Sequence, residues 1–530
     1  MKGREESDGR TVPEGRRKPS VTPRKRRGGR AATAREQVGQ PRLDFGTADS
    51  PRGDDAGAGT DRSVPAPSAV PKPKTTRGQD LPAMTMEEVA CEGSLKRAFE
   101  RVASNDGAPG PDGQDVAEVE ANLSEILPRL SHALLEGSYR PGMIRRAWIP
   151  KAGGGQRGLG IPNVVDRIVQ QAVLQVMSPH YEPTFHPSSH GFRTERSCHT
   201  AIAEAKRYLE DGYDWVADLD LEKFFDRVNH DRLLSRLEQR VKDRRLIELI
   251  RRMLKAKVVM PDGVVVSTEE GTPQGGPLSP LLSNIVLDEL DWELARRGHR
   301  FVRYADDCNI YVRSERSGQR VMASVTRFIE SRLRLKVNAG KSAVARPEER
   351  HFLGFRLRRE PLDGSVEVLL SKRSRKRFGE TIRAKTPRNW GRPLVACIRG
   401  LNPYLKGWIN FFRICTSREE RMLHVLDAHV RRRLRAILLK QWKRRRFIAR
   451  RLIRLGVSAE QVRRGLYKGH RSLWALSHSP PVDRGLRNAY FADRGLVSLV
   501  NEWRRFHSPA PVVTAPSRRQ LALGWDNCGW

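Results

Sequence analysis

Tyr304-Ala305-Asp306-Asp307 is the run that most restricts how this chain can fold. Phe301-Val302-Arg303-Tyr304 leads into the acids and Cys308-Asn309-Ile310-Tyr311-Val312 leads out, both largely apolar and β-prone. The pattern predicts strand, tight turn, strand, with the carboxylates at the turn. Neighbouring like charges at a hairpin tip repel unless a cation sits between them. Mg²⁺ suits that place, because it takes one or two carboxylates together with phosphate oxygens. A third acid from an apolar setting would complete a two-metal site for phosphoryl transfer. Asp220 supplies it, at the end of the apolar run Trp215-Val216-Ala217-Asp218-Leu219-Asp220-Leu221. Asp218 and Asp220 alternate with apolar neighbours, so both point to one side of that strand. Alone, an Asp near a strand end is a helix cap or a solvated acid. Beside a separate acid pair in a strongly basic chain, it reads as a metal ligand.

The basicity is extreme: 98 Lys and Arg against 62 Asp and Glu in 530 residues, a formal charge of +36. A polyanionic partner is the simplest reason, and nucleic acid is the commonest such partner. An anionic membrane surface would call for an amphipathic or lipidated anchor, and none is evident. No run of ~18 apolar residues reads as a membrane span, and the polar N-terminus lacks the apolar stretch of a secretory signal. The six cysteines (91, 198, 308, 397, 415 and 528) show no C-x-x-C spacing. That argues against zinc modules and a disulfide framework, and for a reducing compartment.

A chain of this length predicts two to four domains. Residues 1–80 are rich in Arg, Lys, Gly, Pro, Ser and Thr and poor in large apolar side chains, which predicts a disordered basic arm, either a nucleic-acid tether or a solvated tail. Periodic sequence starts near Met86, with helices expected over 86–104 and 115–136. Short strands are expected over 147–150 and 158–162, either side of Gly153-Gly154-Gly155. A helix over 165–177, a strand over 215–221, a helix from near His230 and another over 281–296 lead to the hairpin at 301–312. A helix over 317–334, a turn over 338–341 and strands near 351–358 and 365–370 follow. This mixed order predicts an α+β core with an antiparallel, palm-like sheet. Beyond 371 the chain turns very basic. Ser417-x-x-Glu420 fits a capping box for a helix whose stripe is Leu423, Leu426, Val430, Leu434, Ile437 and Leu438, with Arg431, Arg432, Arg433 and Arg435 elsewhere.

The acid pair, together with Asp220-Leu221-Glu222-Lys223-Phe224-Phe225-Asp226, resembles the active site of reverse transcriptases, and in particular of the group II intron-encoded reverse transcriptase/maturases. The resemblance extends in order through Asn105–Gly113, Ile149-Pro150-Lys151 with Arg157–Pro162, Asp166–Ala172, His190-Gly191-Phe192-Arg193, Pro273–Pro280, Leu335–Ser342 and Phe352–Phe355. Leu401–Trp408 is similar to the maturase-specific region, so the likeness covers roughly 86–500.

That resemblance implies a right-hand polymerase fold, with fingers and palm over 86–370 and an α-helical thumb/maturase domain over 371–475; the C-terminal extension over 476–530 is left open between further RNA contact and contact with target DNA. It implies two Mg²⁺ ions on Asp220, Asp306 and Asp307, with the Leu221 carbonyl as a further ligand. Lys151, Arg157, Phe225, Gln274 and Lys341 would bind the incoming dNTP, Phe225 by excluding a 2′-hydroxyl. As plain residues, Lys151 and Arg157 would be surface cations, Phe225 a core aromatic and Gln274 part of a turn. Phe352, Leu353, Gly354 and Phe355 would form the primer grip, or simply core; Arg431, Arg432, Arg435, Lys443 and Arg444 would face RNA. Cys308 is expected to pack behind the hairpin without a redox role, and the lack of paired cysteines after Cys415 predicts no HNH nuclease. The implied function is an RNA-directed DNA polymerase that also binds its intron RNA as a maturase and supports intron mobility. Its partners would be intron RNA, RNA template, DNA primer, target DNA and dNTPs, with no membrane and a homodimer left open. The expected place is the bacterial cytoplasm beside the nucleoid, ahead of an organelle. The alternatives are a splicing maturase with a silent polymerase and a domesticated enzyme of defence or repair.

Overall fold

The computed structural model describes residues 83–150, 155–467 and 472–508. The arm expected over 1–80, Lys151 and the chain after 508 lie outside the described residues. The first expected helix is two. Cys91, with extended backbone, ends α1 (Met86–Ala90), and its Sγ accepts from the Ser94 backbone N–H to cap α2 (Glu92–Ser104). Asn122 separates α3 (Val116–Ala121) from α4 (Leu123–Leu135) differently, its side-chain amide donating back to the Glu118 carbonyl with no cap on α4. Strands β1 (Ile144–Pro150) and β2 (Gln156–Ile161) pair antiparallel from Arg145↔Ile161 to Pro150↔Gln156, and the Gly-rich turn expected between them lies largely outside the described residues. Helix α5 (Val164–Tyr181) runs on from it, its apolar side buried against the first helices.

Helix α6 (Cys198–Glu210) precedes β3 (Trp215–Leu219), followed by α7 (His230–Glu238), α8 (Arg244–Leu254) and the small hairpin of β4 (Val258–Val259) and β5 (Val265–Val266). One four-stranded sheet has the order β2-β1-β4-β5, with β1 and β4 parallel. Helix α9 (Ser279–Arg296) then leads into the hairpin of β6 (Arg300–Tyr304) and β7 (Asp307–Val312), and α10 (Glu315–Phe328) into β8 (Ala343–Ala345). These strands form a second sheet, β6-β7-β3-β8, antiparallel at every step.

The period of two divides this second sheet between two cores. Ala217, Leu219, Phe301, Cys308, Ile310 and Val312 are buried in the core that includes α5, α9 and α10. Val216, Val302 and Tyr311 are buried on the opposite side with residues of α6 and of the helices beyond 371. The acidic residues of β3 and β7 belong to that second face, at the end of the strands.

Strands β9 (Phe355–Arg359) and β10 (Val366–Leu370) form a separate two-stranded ladder. Residues 351–354 are not strand. They form a tight turn in which Phe352 and Phe355 exchange both backbone hydrogen bonds and Leu353 and Gly354 take positive φ. A helical region follows: α11 (Lys372–Lys385), α12 (Leu394–Phe412), α13 (Glu420–Trp442), α14 (Arg445–Arg454), α15 (Ala459–Tyr467), α16 (Leu473–Leu476), α17 (Pro480–Gly485), α18 (Asn488–Ala492) and α19 (Leu499–His507). The expected stripe of α13 is buried throughout. The expected capping box is absent. Ser417–Glu419 is a single 3₁₀ turn, α13 starts at Glu420, and the Thr416 N–H just before is held by the Val368 carbonyl of β10. The boundary expected at 475 does not separate cores. Leu476, Val482, Leu486, Phe491, Leu499 and Trp503 are buried in the same cluster as α12 and α13. Asp427 of α13 also accepts from Ser498 Oγ and the Leu499 N–H.

Candidate active site

Register brings the three acids together. Strand β3 pairs with β7 from Trp215↔Val312 to Leu219↔Cys308, so the next step sets Asp220 opposite Asp307. Directly opposed residues share a face, with their Cβ atoms about 5 Å apart, and like charges there repel. Asp306 belongs to the two-residue turn closed by Tyr304↔Asp307. Ala305 takes φ 56° in that turn, a left-handed position that glycine fills more cheaply. Three carboxylates from separated parts of the sequence therefore meet at one end of the palm sheet.

Their ionisation reflects the crowding. Burial, then Asp220, raises the Asp306 carboxyl, opposed by Arg157 and Lys341. Burial, followed by Asp306, Asp218 and Asp220, pushes Asp307 up to about 7. Asp307 is nevertheless open to water, which screens part of that repulsion. Lys341 Nζ lies 3.1 Å from Asp220 Oδ2. The Asp220 backbone is fixed on both sides: its N–H donates to Ser342 Oγ and its carbonyl accepts from the Asn338 N–H. Asp218 takes a different part. Its carboxylate accepts two hydrogen bonds from Arg350, at 2.6 and 2.8 Å. Arg350 also donates to the Lys341 carbonyl, so Asp218 holds the Lys341 turn in place.

The hairpin is anchored by a buried cation that the sequence pattern alone does not single out. Arg303 and Asp291 of α9 are both 0% exposed, and Arg303 donates to the two Asp291 oxygens at 2.7 and 2.6 Å. The same guanidinium donates to Asn284 Oδ1, Ser189 Oγ and the Ala305 carbonyl. Burial opposes the charge of Arg303, but the Asp291 carboxylate outweighs it and holds the guanidinium pKa above its ordinary value. Gly191 completes the fit: a Cβ there would lie 2.2 Å from the Ala305 nitrogen. Strand β6 carries two arginines, Arg300 exposed and Arg303 buried, and nothing in the sequence tells them apart.

Residues 149–357 match the model of the reverse transcriptase (RNA-dependent DNA polymerase) family, and residues 375–454 match the group II intron, maturase-specific domain. The chain is 33% identical over 350 residues to Protein YkfC of Escherichia coli strain K12, covering 57% of this chain and 88% of that protein. It is 29% identical over 353 residues to group II intron-encoded protein LtrA of Lactococcus lactis subsp. cremoris, covering 52% of this chain and 58% of LtrA. This chain belongs to the group II intron-encoded reverse transcriptase/maturase family. A putative COX1/OXI3 intron 2 protein of Saccharomyces cerevisiae is 27% identical over 322 residues, covering 50% of this chain and 38% of its own length. The group II match thus spans little more than half of LtrA.

The reverse transcriptase/maturase chain places its other expected site residues unevenly. Arg157, on β2, is exposed and close enough to act on Asp306, while Lys151 lies outside the described residues. Phe225 is half-buried in a one-turn segment, edge-on to Phe224, and its carbonyl accepts from the Thr272 N–H. The Gln274 carbonyl accepts from the Gly160 N–H. The adjoining glycines admit protein: a Cβ on Gly275 would strike the Gly160 carbonyl and one on Gly276 the Gln170 side chain. Leu221 is buried and bridged to Val337. Phe352 and Phe355 are buried, leaving Leu353 and Gly354 at the tip of the turn. Lys443 and Arg444 are exposed and Arg431 and Arg432 half-buried. Arg435 is buried and donates to the Leu486 carbonyl and to Asp483, so this guanidinium braces the helical core and does not face RNA. Cys308 is buried, and burial pushes its thiol well up, away from the reactive thiolate.

Among the described residues no three acids, imidazoles or thiols are gathered tightly enough to enclose a metal ion. The donor set still suits a hard divalent cation: it is all carboxylate oxygen, and burial and crowding disfavour the charged forms of Asp306 and Asp307. No helix among the described residues is long and apolar enough to cross a membrane.

Proposed function

We propose that the end of the β3–β7 ladder is where this protein makes DNA on an RNA template, with Asp220, Asp306 and Asp307 as the ligands of two Mg²⁺ ions. The β3–β7 register, which sets Asp220 beside the Asp306–Asp307 turn, is the observation that carries this reading. Bound there, the ions would supply Lewis-acid chemistry at the primer 3′-oxygen and the leaving pyrophosphate. The chain's own residues do the positioning. Arg157 and Lys341 bring positive charge to the triphosphate side of the acids, Lys341 exchanging Asp220 for phosphate oxygens. Lys151 joins them in the same role. Phe225, held through its backbone at Thr272, presents a ring where a ribose 2′-hydroxyl would lie, and Gln274 lines the nascent pair. The Leu353–Gly354 tip faces the primer. The Leu221 carbonyl stands as an added metal ligand.

The helical region binds the intron RNA and so favours its folded form, which is help by binding and not by chemistry. Copying the intron at a DNA target, in the bacterial cytoplasm beside the nucleoid, follows from the two activities together. Primer extension on an RNA template with Mg²⁺ tests the reading. Asp306→Ala with Asp307→Ala abolishes synthesis and leaves RNA affinity intact. Near wild-type extension by that double variant refutes the assignment.

A further inference from the structure

Outside the acid cluster, a group of cationic side chains surrounds Trp474. Helix α13 places Arg432, Ala436 and Lys440 in one i, i+4, i+8 row. The loop after α11 adds Arg388 and Asn389, and the start of α16 adds Ser472, Leu473 and Trp474. Together they wall a cavity of about 310 Å³, at the small end of the range for ligand sites. Ala436 is the buried member of that lining.

Three guanidinium groups converge on the Trp474 ring: Arg432 at 4.3 Å from the ring centre, Arg388 at 5.6 Å and Arg433 at 5.7 Å. Cation–π attraction holds them, but it does not neutralise them. Among the described residues, no carboxylate is within ion-pair distance of Arg388, Arg432, Arg433 or Lys440. Arg433 is tied to the protein through Thr386 Oγ1 and the Arg383 and Thr386 carbonyls. Arg388 and Lys440 are exposed, and the buried Nε of Arg432 has no hydrogen-bond partner. A fold does not gather this much like charge without repulsion unless an anion completes it.

We propose that this cavity is a subsite for one phosphodiester of an RNA strand, with Arg388 and Lys440 gripping the phosphate and Trp474 ordering the guanidinium groups around it. Asn389 and Ser472 are placed to hydrogen-bond the sugar or phosphate oxygens, and Leu473 to meet the flanking base. The inference rests on the reading of the helical region as RNA-binding and gives that reading an address. The site straddles the maturase-specific match and the segment that follows it, so this RNA contact needs both.

The test measures the affinity of the full chain for fluorescein-labelled single-stranded RNA of mixed sequence, and for DNA of the same sequence, across a salt series. R388Q/K440Q is expected to weaken RNA binding about tenfold and to flatten the log–log salt slope by about 0.7 for each phosphate that is no longer neutralised. R388K/K440R keeps the wild-type slope, and W474L weakens binding with the urea midpoint of the protein as the check on folding. An unchanged slope in R388Q/K440Q overturns the subsite, and so does a loss confined to the DNA strand. If the wild-type chain itself binds RNA weakly and with no salt dependence, the RNA-binding reading of the whole helical region fails first.

Discussion

Replacing Arg303 by Met separates what holds the acidic hairpin from what holds the fold. Arg303 and Asp291 are both 0% exposed, and the guanidinium makes hydrogen bonds to Asp291, Asn284, Ser189 and the Ala305 carbonyl. Met fills much of the volume but leaves the Asp291 carboxylate buried without a partner. Breaking such a pair from one side costs about 3–5 kcal/mol. That is a large share of the ~5–15 kcal/mol that holds a typical domain together. Converting the partner as well, in R303M/D291L, removes the stranded charge and recovers most of the stability, so the double-mutant cycle shows a coupling of at least about 2 kcal/mol. Activity does not recover with it. Neither variant holds the Ala305 carbonyl, and a displacement of the acids by about 1 Å lowers the rate of the chemical step about 100-fold. Urea unfolding followed by circular dichroism gives the first quantity and single-turnover primer extension the second. A wild-type rate in R303M/D291L, or a destabilisation below about 1 kcal/mol in R303M, refutes the anchoring role.

Gly191→Ala is expected to leave the unfolding free energy within about 2 kcal/mol of wild type and to lower extension at least tenfold, because the new Cβ meets the Ala305 nitrogen 2.2 Å away. The Asp307 carboxyl, raised from 3.8 to about 7, fixes the sign of a pH effect. With a folded pKa above its unfolded value, its stabilising contribution to the metal-free protein is complete below the unfolded pKa and is lost as pH rises through about 7. The proton must leave for a cation to bind, so the Mg²⁺ concentration for half-maximal extension should fall as pH rises through that same range. Arg435→Gln should destabilise the helical core by about 1–3 kcal/mol, read by urea unfolding, while RNA affinity at low temperature stays within twofold of wild type.

The acidic hairpin and β3 were legible because each carries a local signal: alternating apolar residues, and acids at the turn or strand end. The pairing that joins them was supplied by resemblance, and the structure adds the register, Asp220 against Asp307. The resemblance gave Lys341 a place at the incoming nucleotide, and its contact with Asp220 is added by the structure, since nothing local links residues this far apart in sequence. Burial decided by tertiary contact was not legible. Arg435 looked like its neighbours on α13 until Asp483 and the Leu486 carbonyl closed over it. Arg303 looked like an ordinary strand cation until Asp291 met it from a helix packed on the sheet. The Ser417 cap failed because β10 captures the backbone just before it, and the helix breaks at Cys91 and Asn122 fall where single polar residues outweigh a continuous apolar period.

Anomalous scattering from Mn²⁺ in crystals of the protein with an RNA template, a DNA primer and a dNTP is the most direct measurement. Two peaks about 3.5–4 Å apart, both bonded to Asp306 and at least one to Asp220 and Asp307, are the predicted result. Peaks elsewhere, or Asp220 still paired to Lys341 with the nucleotide bound, would contradict the account.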